Sequence, residues 1–307
     1  VYLYVFHVPT TTPNLKTLIV LGGPTASGKT ALAIKLAQHF GTEIISGDSR
    51  QFYQEMKIGN ARPTDAELAA ARHHFVADRS IHEPLTAGGF EREALARLQT
   101  IFEHNDYAVL AGGSGLYLRA LCEGLDKFPE VTNAARTQVQ NLLEEQGLSG
   151  LQLELERLDP VYFAKVDQQN ARRLERALQV CYTSGKAYSS FLGKRAKRNF
   201  KCIYLRTHPE RPLLYNRINQ RVDLMLEEGL EAEAQALFPH RNLPVLQTVG
   251  YQEWWPFFAG EYTRERAVEL VKQNSRRYAK RQVTWFSRGG VYRAVAGVEE
   301  AVEAVLA

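Results

Sequence analysis

Residues 23–30 read GPTASGKT, a full fit to the Gly-x-x-x-x-Gly-Lys-Ser/Thr phosphate loop, and the run that feeds it, Leu18-Ile19-Val20-Leu21, is apolar enough for a buried strand. No other segment restricts the fold as tightly, because such a loop works only between a strand and a helix. Gly23 and Gly28 let the backbone curl, so that consecutive N–H groups of the loop turn inward around an anion. Lys29 adds a point charge, Thr30 offers a hydroxyl to Mg²⁺, and the following helix aims its positive end at the ligand. The segment calls for a ligand with at least two linked phosphates, without saying which.

The rest of the chain suits an α/β fold, a P-loop NTPase-like parallel sheet core with helices on both faces. Short apolar runs at 18–21, 43–46, 75–77, 107–111 and 202–206 read as strands, separated by amphipathic helices at 29–40, 65–72 and 90–104. Thr64 and Glu67 have the spacing of a capping box. Between 129 and 199 the strand signal stops and helical periodicity takes over at 133–146, 151–158 and 170–184, which predicts an inserted all-helical subdomain. The core is then expected over 17–128 and 200–307, with further helices at 212–229 and 263–286. Residues 1–16 form an opening extension whose structure the sequence does not specify.

Composition narrows the class. No apolar run approaches the roughly 18 residues of a membrane span. Three cysteines, Cys122, Cys181 and Cys202, have neither the parity of a disulfide framework nor metal-site spacing, and the apolar start lacks the basic residues of a signal peptide, so the cytoplasm is expected. The net charge is only +4, but it is unevenly spread. Residues 171–201 hold nine basic side chains against Glu175 alone, and 262–293 hold nine against Glu265 and Glu269. Two such stretches suit a polyanion larger than a nucleotide, although a solvated helix face explains either one singly.

Two further segments carry chemistry. Glu43-Ile44-Ile45-Ser46-Gly47-Asp48 is a strand ending in an acid, and carboxyl strand ends line the ligand crevice of a parallel sheet. Asp48 can therefore act as a Mg²⁺ ligand or as a general base. The run 107–119 ends its strand in Ala111-Gly112-Gly113-Ser114, without the acid that a hydrolytic ATPase places there, and Ser114 opens a helix in the crevice. His73, His74 and His82 lack metal-ligand spacing and read as structural or surface residues. Lys280-Arg281-Gln282-Val283-Thr284-Trp285-Phe286 interleaves basic and aromatic side chains, as in proteins that track phosphates and stack bases. A small-molecule kinase using ATP fits the core but leaves the basic stretches idle. A non-catalytic RNA binder switched by a nucleotide uses the basic stretches but lacks the acid of a switch.

Taken in order, GPTASGKT, GDSRQFYQEMKIGNARP, AGGSGLYLRAL, NARRLERALQV, QTVGYQE and KRQVTWF resemble the signature of the tRNA dimethylallyltransferase (IPP transferase) family from Leu18 to Phe286. The resemblance implies transfer of a dimethylallyl group from dimethylallyl diphosphate to N6 of adenine 37, next to the tRNA anticodon, with Mg²⁺ and release of diphosphate; a monomer is expected, although the sequence does not reveal whether the chain self-associates. It implies that Asp48 is the base, acting with Ser114, Lys29 and Thr30, and that Arg221 holds the diphosphate beside the loop, with Arg217 as the alternative. As tRNA contacts it implies Asp48, Ser49, Arg50 and Gln51, then Arg172, Arg173, Leu174, Glu175 and Arg176. Gln247, Thr248, Val249, Gly250, Tyr251 and Gln252 follow, then Lys280, Arg281, Gln282, Thr284 and Trp285, with Ser114 and Arg136 as single positions. Ser114 departs from the Thr usual in the family but keeps its hydroxyl.

Overall fold

The first strand shows why the sheet is covered on both faces. Leu18 and Val20 pack with Ile45, Phe52, Phe90 and Leu110, whereas Ile19 and Leu21 pack into a separate core with Leu32, Leu36, Val109 and Leu205. A strand apolar at every position is buried only when both of its faces meet helices. The computed structural model describes residues 15–195 and 197–307; the first fourteen residues of the opening extension lie outside it.

In chain order the elements are β1 (Thr17–Gly22), α1 (Lys29–His39), β2 (Ile44–Ser46), α2 (Asp65–Ala70), β3 (His73–His74), α3 (Ala87–His104), β4 (Tyr107–Gly112) and α4 (Gly115–Glu123). A helical segment holds α5 (Asn133–Leu158), α6 (Pro160–Phe163) and α7 (Ala171–Ser184). The chain then forms β5 (Lys201–Thr207), α8 (Arg211–Glu227), α9 (Leu230–Leu237), α10 (Trp255–Phe258), α11 (Arg264–Ser287), β6 (Arg293–Val295) and α12 (Val298–Leu306). The strands pair in the order β3-β2-β4-β1-β5-β6, all parallel. Their carboxyl ends therefore share one edge, where the phosphate loop follows β1, Asp48 follows β2 and Gly113 follows β4.

Two compact units divide the chain: 15–122 with 198–307, which holds the sheet, and Glu123–Lys197, which is helical. The helical unit has its own core of Val139, Leu151, Leu155, Leu174, Ala177 and Leu178. There the buried Asp159 carboxylate accepts from the N–H of Tyr162 and from the N–H and hydroxyl of Ser189, at 2.6–2.9 Å.

Some expected elements differ. The strand expected at 75–77 is instead β3 at His73–His74, because Phe75 and Ala77 take φ of 62° and 50°, outside the extended range. Backbone N–H groups of Ala77 and Asp78 donate to the carbonyls of Gln51 and Phe52, so that segment closes a turn rather than lengthening the sheet. The two helices expected at 133–146 and 151–158 form one element broken at Gly147, whose φ is 66°. Thr64 and Glu67 do form the capping box, but the helix ends at Ala70 because Ala71 is extended.

Candidate active site

The phosphate loop is held open by its own polar groups. Gly28 takes φ of 85° with nothing near the position of a Cβ, so the requirement for glycine there is one of backbone conformation alone. Ala26 is also left-handed, at φ 59°, a local strain that the surrounding bonds maintain. The Ser27 hydroxyl donates to the Pro24 carbonyl at 2.8 Å and lies 2.6 Å from the hydroxyl of Thr207, the last residue of β5. Lys29 Nζ donates to the same Pro24 carbonyl at 2.6 Å. Lys29 is half-buried, and desolvation by the protein around it lowers its pKa to about 8; nearby Asp48 partly offsets the drop, and Arg221 adds to it.

Asp48 comes to this loop through the sheet. The Gly47 N–H donates to the Ala111 carbonyl at 2.8 Å, one rung beyond β2, and a Cβ on Gly112 would sit 2.4 Å from the Gly47 carbonyl. Only glycine permits the two strand ends to approach so closely. The Asp48 carboxylate then accepts from the Arg50 N–H at 3.2 Å, and the Ser49 N–H donates to Ser114 Oγ at 3.0 Å. Ser114 thus fixes the Asp48 turn and stands outside the cleft walls, where the sequence placed it as a substrate contact.

These pieces border one cleft of about 950 Å³. Thr25 to Thr30 form its floor, with Ser46, Asp48 and Gln51 beside them. Lys57, Ile58, Arg62, Glu67, Leu224 and Met225 stand on its other walls. Gly23 and Pro24 lie behind the floor, buried. Arg221 of α8 lines the cleft close to Lys29; Arg217, one turn earlier, does not, although both are exposed.

The wall at 57–60 is braced from behind. The Glu233 carboxylate accepts from the N–H groups of Lys57, Ile58 and Gly59 at 2.9–3.0 Å and from the Tyr251 hydroxyl at 2.7 Å. Tyr251 is fully buried, and Gly250 and Val249 are buried beside it. The Glu253 carboxylate receives the Gly250 N–H and the Asn274 amide, each at 2.9 Å, which joins the block to α11. This corrects the sequence reading: Val249, Gly250 and Tyr251 brace the site from within. Gln247 is exposed, and Thr248 and Gln252 are half-buried.

Helix α11 presents Arg277, Lys280, Arg281 and Thr284 along a shallow groove of about 400 Å³. Tyr278 lies between two guanidinium groups, Arg50 at 3.9 Å and Arg281 at 5.6 Å from the ring centre, within cation–π range. Burial pushes the Tyr278 pKa up, while Arg50 and a hydrogen bond with Ser114 act against it. Trp285 is 40 % exposed and lies against Gly115, with the Arg119 guanidinium 5.7 Å from its ring. Gln282 is buried, a second correction.

In the helical unit, Arg172, Arg173 and Arg176 are exposed on α7 and Arg136 on α5. Leu174, expected as a contact, is fully buried in the core, and Glu175 is half-buried. Sequence reasoning missed Tyr278, Thr207 and Glu233. Tyr278 was open to discovery, since it stands three residues before Arg281, on the same face of the helix; Thr207 and Glu233 carried no local signal.

Residues 51–289 match the family described as IPP transferase. The chain belongs to the IPP transferase family. A tRNA dimethylallyltransferase of Flavobacterium johnsoniae is 48% identical over 281 residues, covering 89% of this chain and 91% of the relative. One of Christiangramia forsetii is 50% identical over 272 residues, covering 88% and 90%. Among solved IPP transferases, the tRNA isopentenylpyrophosphate transferase of Bacillus halodurans superposes with a TM-score of 0.68 at 32% identity, covering 94% and 93%. A eukaryotic dimethylallyltransferase solved acting on tRNA gives 0.77 at 26% identity, covering 91% of this chain and 73% of that one.

The IPP transferase family uses a divalent metal with a diphosphate substrate. No group of three His, Cys, Asp or Glu side chains that could cage a metal occurs among the described residues. The hydroxyl of Thr30 on this cleft is a sparse oxygen donor. It fits Mg²⁺, which binds through few protein ligands and takes the rest from water and substrate phosphate oxygens. Among the described residues no helix is long and apolar enough to cross a membrane.

Proposed function

We propose that the chain transfers a dimethylallyl group from dimethylallyl diphosphate to N6 of adenine 37 of tRNA, releasing diphosphate. The observation that carries this reading is the cleft itself: a phosphate loop with its lysine, Arg221 and the Asp48 carboxylate share one space, and the basic helix α11 is bonded to that loop through Gln282. The diphosphate lies on the amides of the loop between Lys29 and Arg221. As the allylic C–O bond breaks, these fixed donors stabilise the charge that collects on the departing oxygen. The N6 lone pair forms the new C–N bond, and Asp48 takes the N6 proton, because an exocyclic amine attacks poorly while it keeps that proton. Mg²⁺, held by Thr30 and the diphosphate, would supply further charge neutralisation. The target base must leave its stack to reach Asp48, and Tyr278 and Arg50 lie on that approach. Arg277, Lys280 and Arg281 hold the RNA backbone, as do the exposed arginines of α7. We place the reaction within a monomer, because one chain supplies the whole cleft, and in the cytoplasm, where unmodified tRNA is found.

The decisive assay supplies Mg²⁺ and unmodified tRNA with either dimethylallyl diphosphate or ATP. Prenylated adenine and diphosphate are expected from the first; phosphate transfer from ATP with no reaction of the allyl donor would end this reading in favour of a kinase. The lowered pKa of Lys29 also sets a pH limit. Lys29 loses its proton above about pH 8, so donor affinity falls as pH rises through that value. Lys29→Arg, which stays charged, removes the pH dependence even if its affinity is lower. A donor KM flat from pH 7 to about pH 9.5 in the unaltered chain would show that Lys29 remains protonated.

A further inference from the structure

Lys280, Arg281 and Thr284 are exposed on α11, but Gln282 among them is 5 % exposed and points inward. Its amide is used at both ends. Oε1 accepts from the Thr25 N–H at 2.9 Å, and Nε2 donates to the Gly113 carbonyl at 3.0 Å. Thr25 opens the exposed part of the phosphate loop, and Gly113 follows β4 beside the Asp48 turn. The fit is close, since a Cβ on Gly113 would come within 2.2 Å of Nε2 and 3.3 Å of Asp48 Oδ2.

We infer that Gln282 is a positioning residue for the diphosphate, acting through the phosphate loop, and not a contact to RNA; the inference rests on the function proposed above. A primary amide suits this gap because it accepts at one atom and donates at the other. A carboxylate would set an acceptor against the Gly113 carbonyl, and an aliphatic side chain would leave the half-buried Thr25 N–H and the buried Gly113 C=O without their partner. With its first N–H fixed by Gln282, the loop holds the amides that follow at the angles an anion needs. The same bond links the loop to a helix whose outer face is basic, so a shift of α11 on its axis would be felt at the anion site.

The test titrates inorganic pyrophosphate with Mg²⁺, and separately an unmodified anticodon stem-loop RNA, against the unaltered chain, Gln282→Met and Gly113→Ala. Gln282→Met keeps the length of the side chain and removes both bonds. Gly113→Ala leaves Gln282 in place and displaces its amide from the other side. Each variant is expected to bind pyrophosphate on the order of tenfold more weakly, with RNA affinity within about twofold of the unaltered chain. In turnover, the KM for the allyl donor should rise more than kcat falls. Loss of RNA affinity with pyrophosphate binding intact would overturn the inference, as would no change in either. A melting curve identifies a variant that has lost both through misfolding, and the other variant then decides. If the unaltered chain bound no pyrophosphate, the proposed function would fall first and this inference with it.

Discussion

Asp48→Ala lowers kcat by about 10²–10⁴-fold, the usual share of a general base, while the anticodon stem-loop binds nearly as before. The carboxylate is tied to the site by one hydrogen bond from the Arg50 N–H, and the turn itself is fixed elsewhere, by Gly47 on Ala111 and Ser49 on Ser114. Removing the side chain therefore takes away a proton acceptor without releasing the backbone that carries it. Asp48 also favours the charged form of Lys29, so the same variant should move the alkaline fall in donor affinity to lower pH. A large loss of RNA affinity with kcat intact would mean instead that Asp48 serves to seat the adenine.

Lys280→Glu combined with Arg281→Glu should weaken tRNA binding by about 10²-fold and reduce the dependence of log affinity on log salt by about one for each phosphate no longer neutralised. Both side chains are exposed and line the same groove, and neither forms an ion pair among the described residues. Reversing them therefore changes the field outside the helix more than its packing. Pyrophosphate affinity should stay unchanged, because this stretch meets the loop floor through the inward-facing Gln282 and through Ala279 and Val283, none of which is altered. An unaltered salt slope would show that α11 does not face RNA. Arg276 is a poorer choice, since its guanidinium donates to Asn219 at 2.6 Å and its loss would disturb the packing of α11 on α8.

The sheet core was legible because its signals are local. Leu18 to Leu21 are apolar at every position, which announces a strand covered on both faces, and Thr64 with Glu67 announces a helix start. The phosphate loop and Asp48 were legible for the same reason, each being a few residues at the end of one strand. What stayed hidden depended on distant partners. Phe75 and Ala77 look like strand residues, but both are left-handed, and the N–H groups of Ala77 and Asp78 are bonded to the distant carbonyls of Gln51 and Phe52. β6 is three residues long and two of them are exposed, so Arg293–Val295 had no pattern to detect. The site showed the same limit. A sequence block marks which residues belong to a site but not which way they point. Tyr251, Leu174 and Gln282 were thus read as surface contacts, and all three are interior. Arg198, counted in a basic stretch, is an internal tie to Glu91 and to the carbonyls of Ala120 and Leu121.

The Glu233 brace has a consequence for how substrate is oriented. Three successive amides at 57–59 converge on one carboxylate, the pattern by which a loop captures a free anion. In this chain the captive is an internal side chain, so that wall offers no spare amide hydrogens at those positions. A molecule with a charged head and a greasy tail is then sorted on entry: the free loop amides across the gap are left for the head, and Ile58, Leu224 and Met225 for the tail.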